Sequence, residues 1–490
     1  MDLAIALDND SSKPLHQQLY EQLRQAILAG RLTPGERIPS TRFLAKSLSI
    51  SRFTVSSSYE QLLSEGYLET VRGSGTFVCQ QIPDDLIQSK PIKSIEKTNS
   101  LSIKLSKYGE TLVNTKNVPR IREPKLQINF RYGTPALNEF PIKQWRRLLS
   151  HHCSANLNWL EYSTEALGYK PLREAITHYL TRSRAVNCQP EQILITNGTQ
   201  QALDLILRLL ISPGETIAIE NPGYLSARMI FETHNANILP VRVDNSGLII
   251  EELANYTEEN IRLVYVTPSH QFPTGAILSL PRRLELLNWA QQSGGLIIED
   301  DYDSEFRYGE KPIPALQGLD KSDSVLYIGT FSKVLFPSLR IGYLVLPKSL
   351  VEIFTRAKWL NDRHLPILEQ QVLADFIESG YLERHIRKMR SIYDKRRQVL
   401  VKALKKHFGK QVKILGEKAG IHVMVRFKTN LNDEEIIKSA AKVGVAMMSA
   451  KPHYFTTHSK SEFIFGYGDL TETQLIEGIR KLAEIVGSRA

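Results

Sequence analysis

The sequence predicts a multidomain chain: a mainly helical N-terminal module with a β hairpin, a large α/β domain with a parallel-rich sheet, and a smaller C-terminal α+β part. Three observations lead to this prediction. The 490 residues exceed a single domain at roughly 150 residues per domain. Apolar residues recur at helical spacing near the N-terminus, and short apolar runs alternate with helical stretches from about residue 129. A single small module is therefore excluded.

Composition narrows the class further. With 42% hydrophobic and 23% charged residues, the chain is neither collagen-like nor wholly disordered. Three widely spaced cysteines offer neither a disulfide framework nor a cysteine-rich zinc site, so we expect a reducing compartment and no metal site. No apolar run reaches the roughly 18 residues that span a bilayer, and the N-terminus carries acids where a signal peptide needs bases. We expect a cytoplasmic protein that does not bind membranes.

Residues 1–80 carry the pattern of a winged helix-turn-helix. An amphipathic helix is predicted from Pro14 to Ala29. Ser40 and Ser51 are candidate N-caps of two short helices joined by a tight turn, and YLETVRGSGTFV alternates as a two-stranded hairpin does. The net charge is +10, yet residues 1–80 hold as many basic as acidic residues. The motif, and not bulk charge, therefore predicts DNA binding.

The helix after Ser51 is the predicted recognition helix. In the major groove it would bring Ser51, Arg52 and Thr54 to base edges or phosphates. Arg42 can anchor a phosphate, and Gly75 lets the wing approach the sugar-phosphate backbone because glycine has no Cβ. The open alternative is a small helical subdomain whose arginines and serines are merely solvated.

The segment from KPLHQQLY to RGSGTFV resembles the winged helix-turn-helix of the GntR family from end to end. The resemblance implies a double-stranded DNA operator as partner. Two positions depart from the family pattern: Ser49 stands where glycine is usual, and Ser56 stands near where a second basic residue is frequent. Residues 81–125 then lack sustained periodicity, and we interpret them as a basic interdomain linker, flexible or partly helical.

Residues 126–350 are predicted to form the large α/β domain. Six apolar runs indicate strands buried on both faces: QILIT, TIAIE, IRLVYVT, GLIIED, SVLYIGT and RIGYLVL. After about residue 350 the pattern changes to a long basic helix, YLERHIRKMRSIYDKRRQVLVKALKKHF, with strands near IHVMVRF and EFIFGYG. We assign residues 351–490 to the small C-terminal α+β domain.

Lys333, in GTFSKVLFPSLR, has the chemistry to hold an aldehyde. It follows the predicted strand SVLYIGT, at the strand end where α/β folds place ligand groups, and Arg340 comes seven residues later. A lysine can form a Schiff base and an arginine can grip a phosphate; pyridoxal 5'-phosphate needs both. Alone, Lys333 would be an ordinary surface residue, so the prediction depends on its companions.

Four companions stand at successive strand ends. The helix start after QILIT would aim N–H groups and side chains at a phosphate through Gly198, Thr199 and Gln200. Tyr224 can stack on a pyridine ring, Asp300 can keep a pyridine nitrogen protonated, and Tyr302 can donate to the ring's phenolic oxygen. Each also has an ordinary structural explanation, as helix cap, core aromatic or strand-end acid. Their joint occurrence is hard to reconcile with all of these explanations.

From about residue 129 the sequence resembles a fold type I aminotransferase, and the whole chain resembles the MocR/GabR-type subfamily of GntR regulators. The resemblance implies pyridoxal 5'-phosphate as cofactor, with Lys333 as the Schiff-base lysine and Asp300 and Tyr302 as further catalytic groups. It implies a cofactor site that contains Lys333, Asp300, Tyr302, Tyr224, Gly198, Thr199, Gln200 and Arg340. It also implies a homodimer, in which Tyr162 reaches the phosphate of the partner subunit.

Two departures argue against efficient amino-acid transamination. QFPTG places Phe272 where these enzymes carry an asparagine that bonds the ring oxygen, unless Gln271 or His270 supplies that bond. IFGY places Ile464 where they carry an arginine for the substrate carboxylate. A neutral side chain cannot form a bidentate pair with a carboxylate.

Arg131 or Arg426 could take over the missing arginine's role. We interpret the chain as a pyridoxal-phosphate-dependent transcriptional regulator, which senses the cofactor, an amino acid or an amine through a Schiff base at Lys333. One alternative is a working aminotransferase with an appended DNA-binding domain. The other is a DNA-binding structural protein with an empty transferase-like domain, which the presence of Lys333, Asp300 and Arg340 disfavours.

Overall fold

A computed structural model describes residues 5–8, 11–83, 104–114, 126–155, 158–256, 260–309, 313–455 and 461–486. The chain divides into two compact units, Met1–Lys104 and Leu105–Ala490. The division falls inside the predicted linker, much of which lies outside the described residues. Within the described ranges, no helix is long and apolar enough to cross a membrane.

The first unit, here called the head, contains three helices and a hairpin, as the sequence predicts. Its elements are α1 Leu15–Leu28, α2 Thr41–Ser47, α3 Arg52–Ser64, β1 Leu68–Val71 and β2 Gly75–Val78, and the two strands are antiparallel. The apolar sides of the helices meet in one core that includes Leu19, Val55 and Leu62. Ile82 belongs to the same core, so the folded head continues past the predicted boundary at residue 80.

The turn between α2 and α3 depends on two serine caps and one strained residue. Ser40 Oγ accepts the Phe43 N–H at 3.3 Å and Ser51 Oγ accepts the Thr54 N–H at 3.1 Å, which confirms both predicted N-caps. Ser49 adopts φ 54°, in the left-handed region that favours glycine. Serine therefore holds this turn at a conformational cost.

The helices of the second unit are α4 Lys107–Asn114, α5 Ile142–Ala155, α6 Lys170–Arg184, α7 Gly198–Leu210, α8 Leu225–Thr233, α9 Glu251–Ala254, α10 Leu280–Ser293, α11 Leu316–Leu319, α12 Val351–Asp362, α13 Ile367–Glu378, α14 Tyr381–Phe408, α15 Asp433–Lys442 and α16 Glu472–Val486. The helix α14 confirms the predicted long basic helix. The helix α4 lies in the predicted linker, which is therefore partly helical.

The strands of the second unit are β3 Ile128–Asn129, β4 Ile193–Thr196, β5 Thr216–Asn221, β6 Asn237–Asp244, β7 Gly247–Leu248, β8 Ile261–Val266, β9 Leu296–Asp301, β10 Val325–Thr330, β11 Gly342–Val345, β12 Val412–Leu415, β13 His422–Phe427, β14 Val445–Ala446, β15 Met448–Ser449 and β16 Glu462–Gly466. All six strands predicted for the large domain form. The search for apolar runs misses β6, because its residues do not form a continuous buried run.

Eight strands form the central sheet in the order β4-β11-β10-β9-β8-β5-β6-β7. The five from β10 to β6 are parallel, and β11 is antiparallel to both of its neighbours. The sheet is parallel-rich, as predicted. Because parallel strands end at the same edge, the loops after β5, β9 and β10 converge there.

A second sheet, β12-β13-β16-β15, is antiparallel and belongs to the C-terminal part. Beside it, β3 pairs in parallel with β14: Ile128 lies opposite Val445, and Asn129 opposite Ala446. The prediction places residues 128 and 129 in the large domain. The pairing joins them to the C-terminal part, so a cut at residue 350 alone does not separate the two.

Candidate functional site

Lys333 lies at the strand-end edge of the central sheet, three residues after β10. Its Nζ donates to the carbonyl oxygen of Gly133 at 2.9 Å. Burial lowers the pKa of this amine, and the negative charges of Asp303 and Asp300 only partly offset that effect. A lowered pKa leaves more of the amine neutral, which is the nucleophilic form.

Gly133 is a contact that the sequence reasoning missed. Its φ is +80°, and a Cβ there would lie 2.6 Å from Lys333 Nζ. Only glycine therefore fits at the close approach between this loop and the lysine. The one signal in the sequence is the glycine of FRYGTP, which stands 200 residues before Lys333.

Asp300, at the end of β9, is 4% exposed. One carboxylate oxygen, Oδ2, accepts a hydrogen bond from the Tyr265 hydroxyl at 2.7 Å. The other, Oδ1, is buried and has no hydrogen-bond partner among the described residues. Burial raises the pKa of Asp300 to about 7. An unpartnered buried oxygen fits a protonated pyridine nitrogen, whose N–H would satisfy it and whose charge would favour the ionised carboxylate.

The start of α7 and the Arg340 side chain form a second polar region of the site, here called the phosphate cradle. Gly198 has φ +75°, and a Cβ there would lie 3.0 Å from Arg340 Nη2. That nitrogen donates to the carbonyl oxygen of Asn197 at 2.9 Å. The first N–H groups of a helix have no partner within the helix, so this terminus and the exposed guanidinium suit a phosphate. Thr199 is half-buried and Gln200 is exposed in the same turn.

Tyr224 lies between these two polar regions. It precedes α8, and burial raises the pKa of its hydroxyl, while the Ser226 and Gln200 side chains oppose that rise. The charges of Asp300 and Arg340 both act on it. The structure therefore brings Asp300, Arg340 and Gln200 close to Tyr224, and their part in binding a cofactor stays a prediction.

Tyr302 is tied to a buried histidine. Its hydroxyl donates to the backbone oxygen of His270 at 2.8 Å and lies 3.1 Å from His270 Nδ1. That nitrogen is also 3.1 Å from both carboxylate oxygens of Asp303. His270, Asp303 and His422 could together approach a metal ion, but the hydrogen bond between His270 and Asp303 already accounts for their closeness.

Gln271 and His270, the two candidates to replace the missing asparagine, differ in whether they have a free nitrogen. The Gln271 amide donates to the carbonyl oxygens of Pro222 at 2.8 Å and Phe272 at 2.6 Å, so it holds its own loop. His270 Nε2, by contrast, is buried and has no partner among the described residues. Of the two substitutes, His270 alone keeps an uncommitted nitrogen.

The two departures from the aminotransferase pattern form an apolar wall. Phe272 and Ile464 are 4% and 0% exposed and share one cluster with Met424. Arg426 pairs through Nε with Glu462 at 2.5 Å, and Glu462 is fully buried. The guanidinium of Arg426 is thus already neutralised.

Arg131 remains as the other candidate for a substrate carboxylate. Its side chain is exposed and forms no ion pair among the described residues. Its charge contributes to lowering the pKa of Lys333, which places the guanidinium near the amine.

Tyr162 lies on the surface of the second unit. It is 80% exposed, and the Arg363 guanidinium lies 5.4 Å from its ring centroid. Trp359 also contacts Arg363, at 5.4 Å. Leu160 and Leu360 are 63% and 78% exposed, so this surface is rich in exposed apolar side chains.

On the head, Arg42 and Arg52 are exposed, as phosphate or base contacts must be. Ser51 and Thr54 instead bond each other, with Oγ and Oγ1 3.1 Å apart, and their cap positions the start of α3. Gly75 has φ +125°, and a Cβ there would lie 2.8 Å from Arg37 Nε.

The wing glycine therefore accommodates an arginine that the sequence reasoning missed. Arg37 is exposed, and its backbone forms an isolated antiparallel β-bridge with Phe77 of β2. Its only sequence signal is a basic residue in the turn before α2, which the helix-turn-helix pattern does not single out.

Two family models match the chain. "Aminotransferase class I and II" matches residues 126–476, and "Bacterial regulatory proteins, gntR family" matches residues 15–78. The fold and site thus define a class: a gntR-type DNA-binding head joined to an aminotransferase domain. Kynurenine aminotransferase from Pyrococcus horikoshii, solved with PMP, has 27% identity and a TM-score of 0.69, and the match covers 81% of this chain and 98% of that one.

Full-length relatives define the family more narrowly. The probable rhizopine catabolism regulatory protein MocR of Rhizobium meliloti is 39% identical over 98% of this chain and 95% of its own. The pyridoxine biosynthesis regulator PdxR of Corynebacterium glutamicum is 30% identical over 99% of each. The chain belongs to this family of gntR-type regulators with an aminotransferase domain. It is accordingly a DNA-binding transcriptional regulator with a pyridoxal-phosphate-binding domain.

Proposed function

We propose that the chain senses pyridoxal phosphate, or an amine or amino acid that reacts with it, at Lys333, and that occupancy of this site changes DNA binding by the head. The observation that carries the proposal is the Asp300 carboxylate. One of its oxygens is buried and unpartnered, in the same site as a half-buried lysine amine. A structural acid with no ligand would be expected to have both oxygens satisfied.

The described residues fit the cofactor at three points. Lys333 offers the amine, Asp300 Oδ1 the acceptor for the ring nitrogen, and the start of α7 with Arg340 the phosphate cradle. When bound, the cofactor supplies an aldehyde that condenses with primary amines and a ring that withdraws electrons. Asp300 would keep the ring nitrogen protonated, and Tyr224 would shield one side of the ring from water.

The apolar wall favours sensing over turnover. Arg426 is neutralised by Glu462, and Ile464 cannot pair with a carboxylate. A regulator needs only a difference in ligand affinity between two conformations, and coupling between sites is typically about 1–3 kcal/mol. A single binding event at Lys333 can supply a difference of that size without repeated chemistry.

We further propose that two copies pair through the surface around Tyr162. Leu160, Tyr162, Trp359 and Leu360 are all more than half exposed, and exposed apolar patches mark interaction sites. Pairing would bring Tyr162 of one copy to the phosphate cradle of the other. Sedimentation of a Leu360→Glu variant tests this: the expected result is a monomer, and an unchanged dimer would contradict it.

The central experiment records the absorption spectrum and operator binding together. The full-length protein selects its operator from a random duplex library, and amines and amino acids are then titrated against the cofactor-loaded complex. We expect the spectrum and the operator affinity to change at the same ligand concentration. A ligand that changes the spectrum fully while operator affinity stays constant would contradict sensing.

Two variants identify the amine. Lys333→Ala should leave no cofactor that borohydride fixes to the protein, and should remove the effect of ligand on DNA. Lys348→Ala, a matched exposed lysine in the same unit, should behave as the wild type. A borohydride-stable adduct that persists in Lys333→Ala would show that another residue holds the cofactor.

The alternative function, a working aminotransferase, rests on Arg131. This guanidinium is near Lys333 and has no ion pair among the described residues, so it could hold a substrate carboxylate. Rapid conversion of the bound cofactor to its amine form by common amino acids, lost in Arg131→Ala, would favour the enzyme over the sensor.

A further inference from the structure

The recognition helix exposes a large aromatic side chain. Phe53, the second residue of α3, is 82% exposed, more than any other large apolar residue that the structure describes. The buried side of α3 consists of Val55, Ser58, Tyr59 and Leu62. Phe53 points away from that side and contributes nothing to the core of the head.

No neighbour on α3 covers the ring. Residues three and four positions apart share a helix face, and the corresponding positions here are Ser56 and Ser57. Both side chains are small and polar. The core of the head therefore gives no reason for a phenyl ring at this position.

The position of Phe53 indicates a ligand. The first residues of a recognition helix reach base edges in the major groove, and Phe53 lies between Arg52 and Thr54, which are expected to contact DNA there. A phenyl ring has no hydrogen-bonding group. The one apolar feature of the major groove is the C5-methyl group of thymine.

We propose that Phe53 reads a thymine through its methyl group and so determines part of the operator sequence. The proposal rests on the DNA-binding function of the head. It adds a specificity-determining contact to a helix whose polar residues were expected to carry the recognition. A protein surface that covers Phe53 is the competing occupant, and the experiment below separates the two.

Phe43 provides a matched control. It is also exposed, at 65%, but lies on α2, the helix that in this motif crosses the DNA backbone rather than entering the groove. Loss of its ring should not change discrimination between bases.

The test removes one methyl group at a time. The full-length protein first selects a binding site from random duplexes, and each thymine is then replaced singly by deoxyuridine, which lacks only the methyl group. At one thymine per half-site we expect wild-type affinity to fall about 3- to 10-fold, since roughly one methyl group loses its contact. Phe53→Ala should bind the thymine and deoxyuridine duplexes equally, and Phe43→Ala should keep the wild-type ratio.

Several results would overturn the proposal. A thymine preference that persists in Phe53→Ala would assign the methyl group to another residue. Equal weakening of both duplexes in Phe53→Ala, with the thymine preference kept, would indicate a general role for the ring and not the reading of a methyl group. Under the proposal, Phe53→Leu, which keeps an apolar side chain, should retain part of the preference. A changed sedimentation coefficient with unchanged DNA affinity would identify a protein contact. If wild-type protein enriched no sequence at all, DNA recognition by the head would itself be contradicted.

Discussion

Burial determines the chemistry of single side chains at the edge of the central sheet. It lowers the pKa of the Lys333 amine and raises that of Asp300 to about 7. Both shifts favour the neutral form, because a charge loses its hydration on burial. The site is therefore prepared for a ligand that brings its own charge, as a phosphorylated pyridine does.

Replacing Asp300 by Asn tests this view through pH. An unfolded Asp has a pKa of about 3.9, so between pH 4 and 7 the unfolded chain releases a proton that the folded, cofactor-free chain keeps. Folding is then disfavoured as pH rises, by up to about 1.4 kcal/mol per unit. We expect Asp300→Asn to gain stability relative to wild type from pH 4 to 7 and to level off above.

The measurement is the denaturant midpoint of both cofactor-free proteins across that range. Asn lacks a titrating group and keeps an oxygen for the Tyr265 hydroxyl, so it is a close structural match. A difference that does not depend on pH would show that Asp300 is not held neutral.

Ile464 allows a second prediction at this scale. Its side chain is fully buried beside Phe272 and Met424, so arginine there would be a buried charge with no free partner. We expect Ile464→Arg to lose more than about 3 kcal/mol of unfolding free energy and to gain no transaminase activity, whereas Ile464→Val should lose about 1 kcal/mol. Denaturant titration and a transamination assay measure both, and a stable, active Ile464→Arg would refute the apolar wall.

Sequence reasoning found the residues that carry their own local signal. Lys333, Asp300 and Tyr224 each stand at or shortly after the end of an apolar strand, and strand ends are where such folds bind ligands. Gly133 and Tyr265 were missed because their roles arise from contacts across the fold, which spacing along the chain does not reveal.

At the scale of elements, the turn between α2 and α3 is strained by one residue, Ser49. Ser49 occupies the left-handed region, which disfavours side chains by about 1–2 kcal/mol. We therefore expect Ser49→Gly to slow hydrogen exchange of the α2 and α3 amides several-fold in the full-length protein. Ser47→Gly, at the last residue of α2, should speed it, since glycine weakens a helix. Faster exchange in Ser49→Gly would contradict the strain.

The start of α7 offers a prediction about the cofactor. Gly198→Ala would force a side chain into positive φ and against Arg340, so we expect pyridoxal phosphate to bind at least about tenfold more weakly, from one lost charge-assisted contact. Fluorescence titration measures the affinity. Gly214→Ala is the matched control, because Gly214 has φ +92° but nothing within 4 Å of its Cβ position.

If Gly214→Ala weakened cofactor binding as much as Gly198→Ala, general backbone strain and not the loss of the phosphate contact would explain the result.

Most secondary-structure elements were predictable from the sequence: the strands buried on both faces, the caps Ser40 and Ser51 and the long helix α14 all have strong local patterns. The strand β6 was not predictable in the same way, since it lacks the continuous apolar run.

For the whole molecule, charge is distributed rather than concentrated. The chain has a net charge of +10, yet residues 1–80 hold as many basic as acidic residues, so individual arginines of the helix-turn-helix must contact the phosphates. We expect operator affinity to fall steeply with salt, and Arg42→Ala to reduce the slope of log affinity against log salt by about 0.9. Gel shifts at several salt concentrations measure this slope, and an unchanged slope in Arg42→Ala would show that Arg42 does not contact a phosphate.

The division of the chain into a head and a larger unit followed from pattern changes along the sequence. The place of residues 128 and 129 did not, because a two-residue strand gives no periodic signal. Its partner, Val445 and Ala446, stands about 300 residues later.

That pairing has a consequence for synthesis on the ribosome. The head is complete once its last residues emerge, but β3 must wait for β14, which at about 5–20 residues per second takes roughly 15–60 seconds. In a nascent chain, all residues of the head are therefore available before the second unit can complete its pairing of β3 with β14. A chain whose synthesis stopped in this interval would contain the DNA-binding head without a complete cofactor-binding unit.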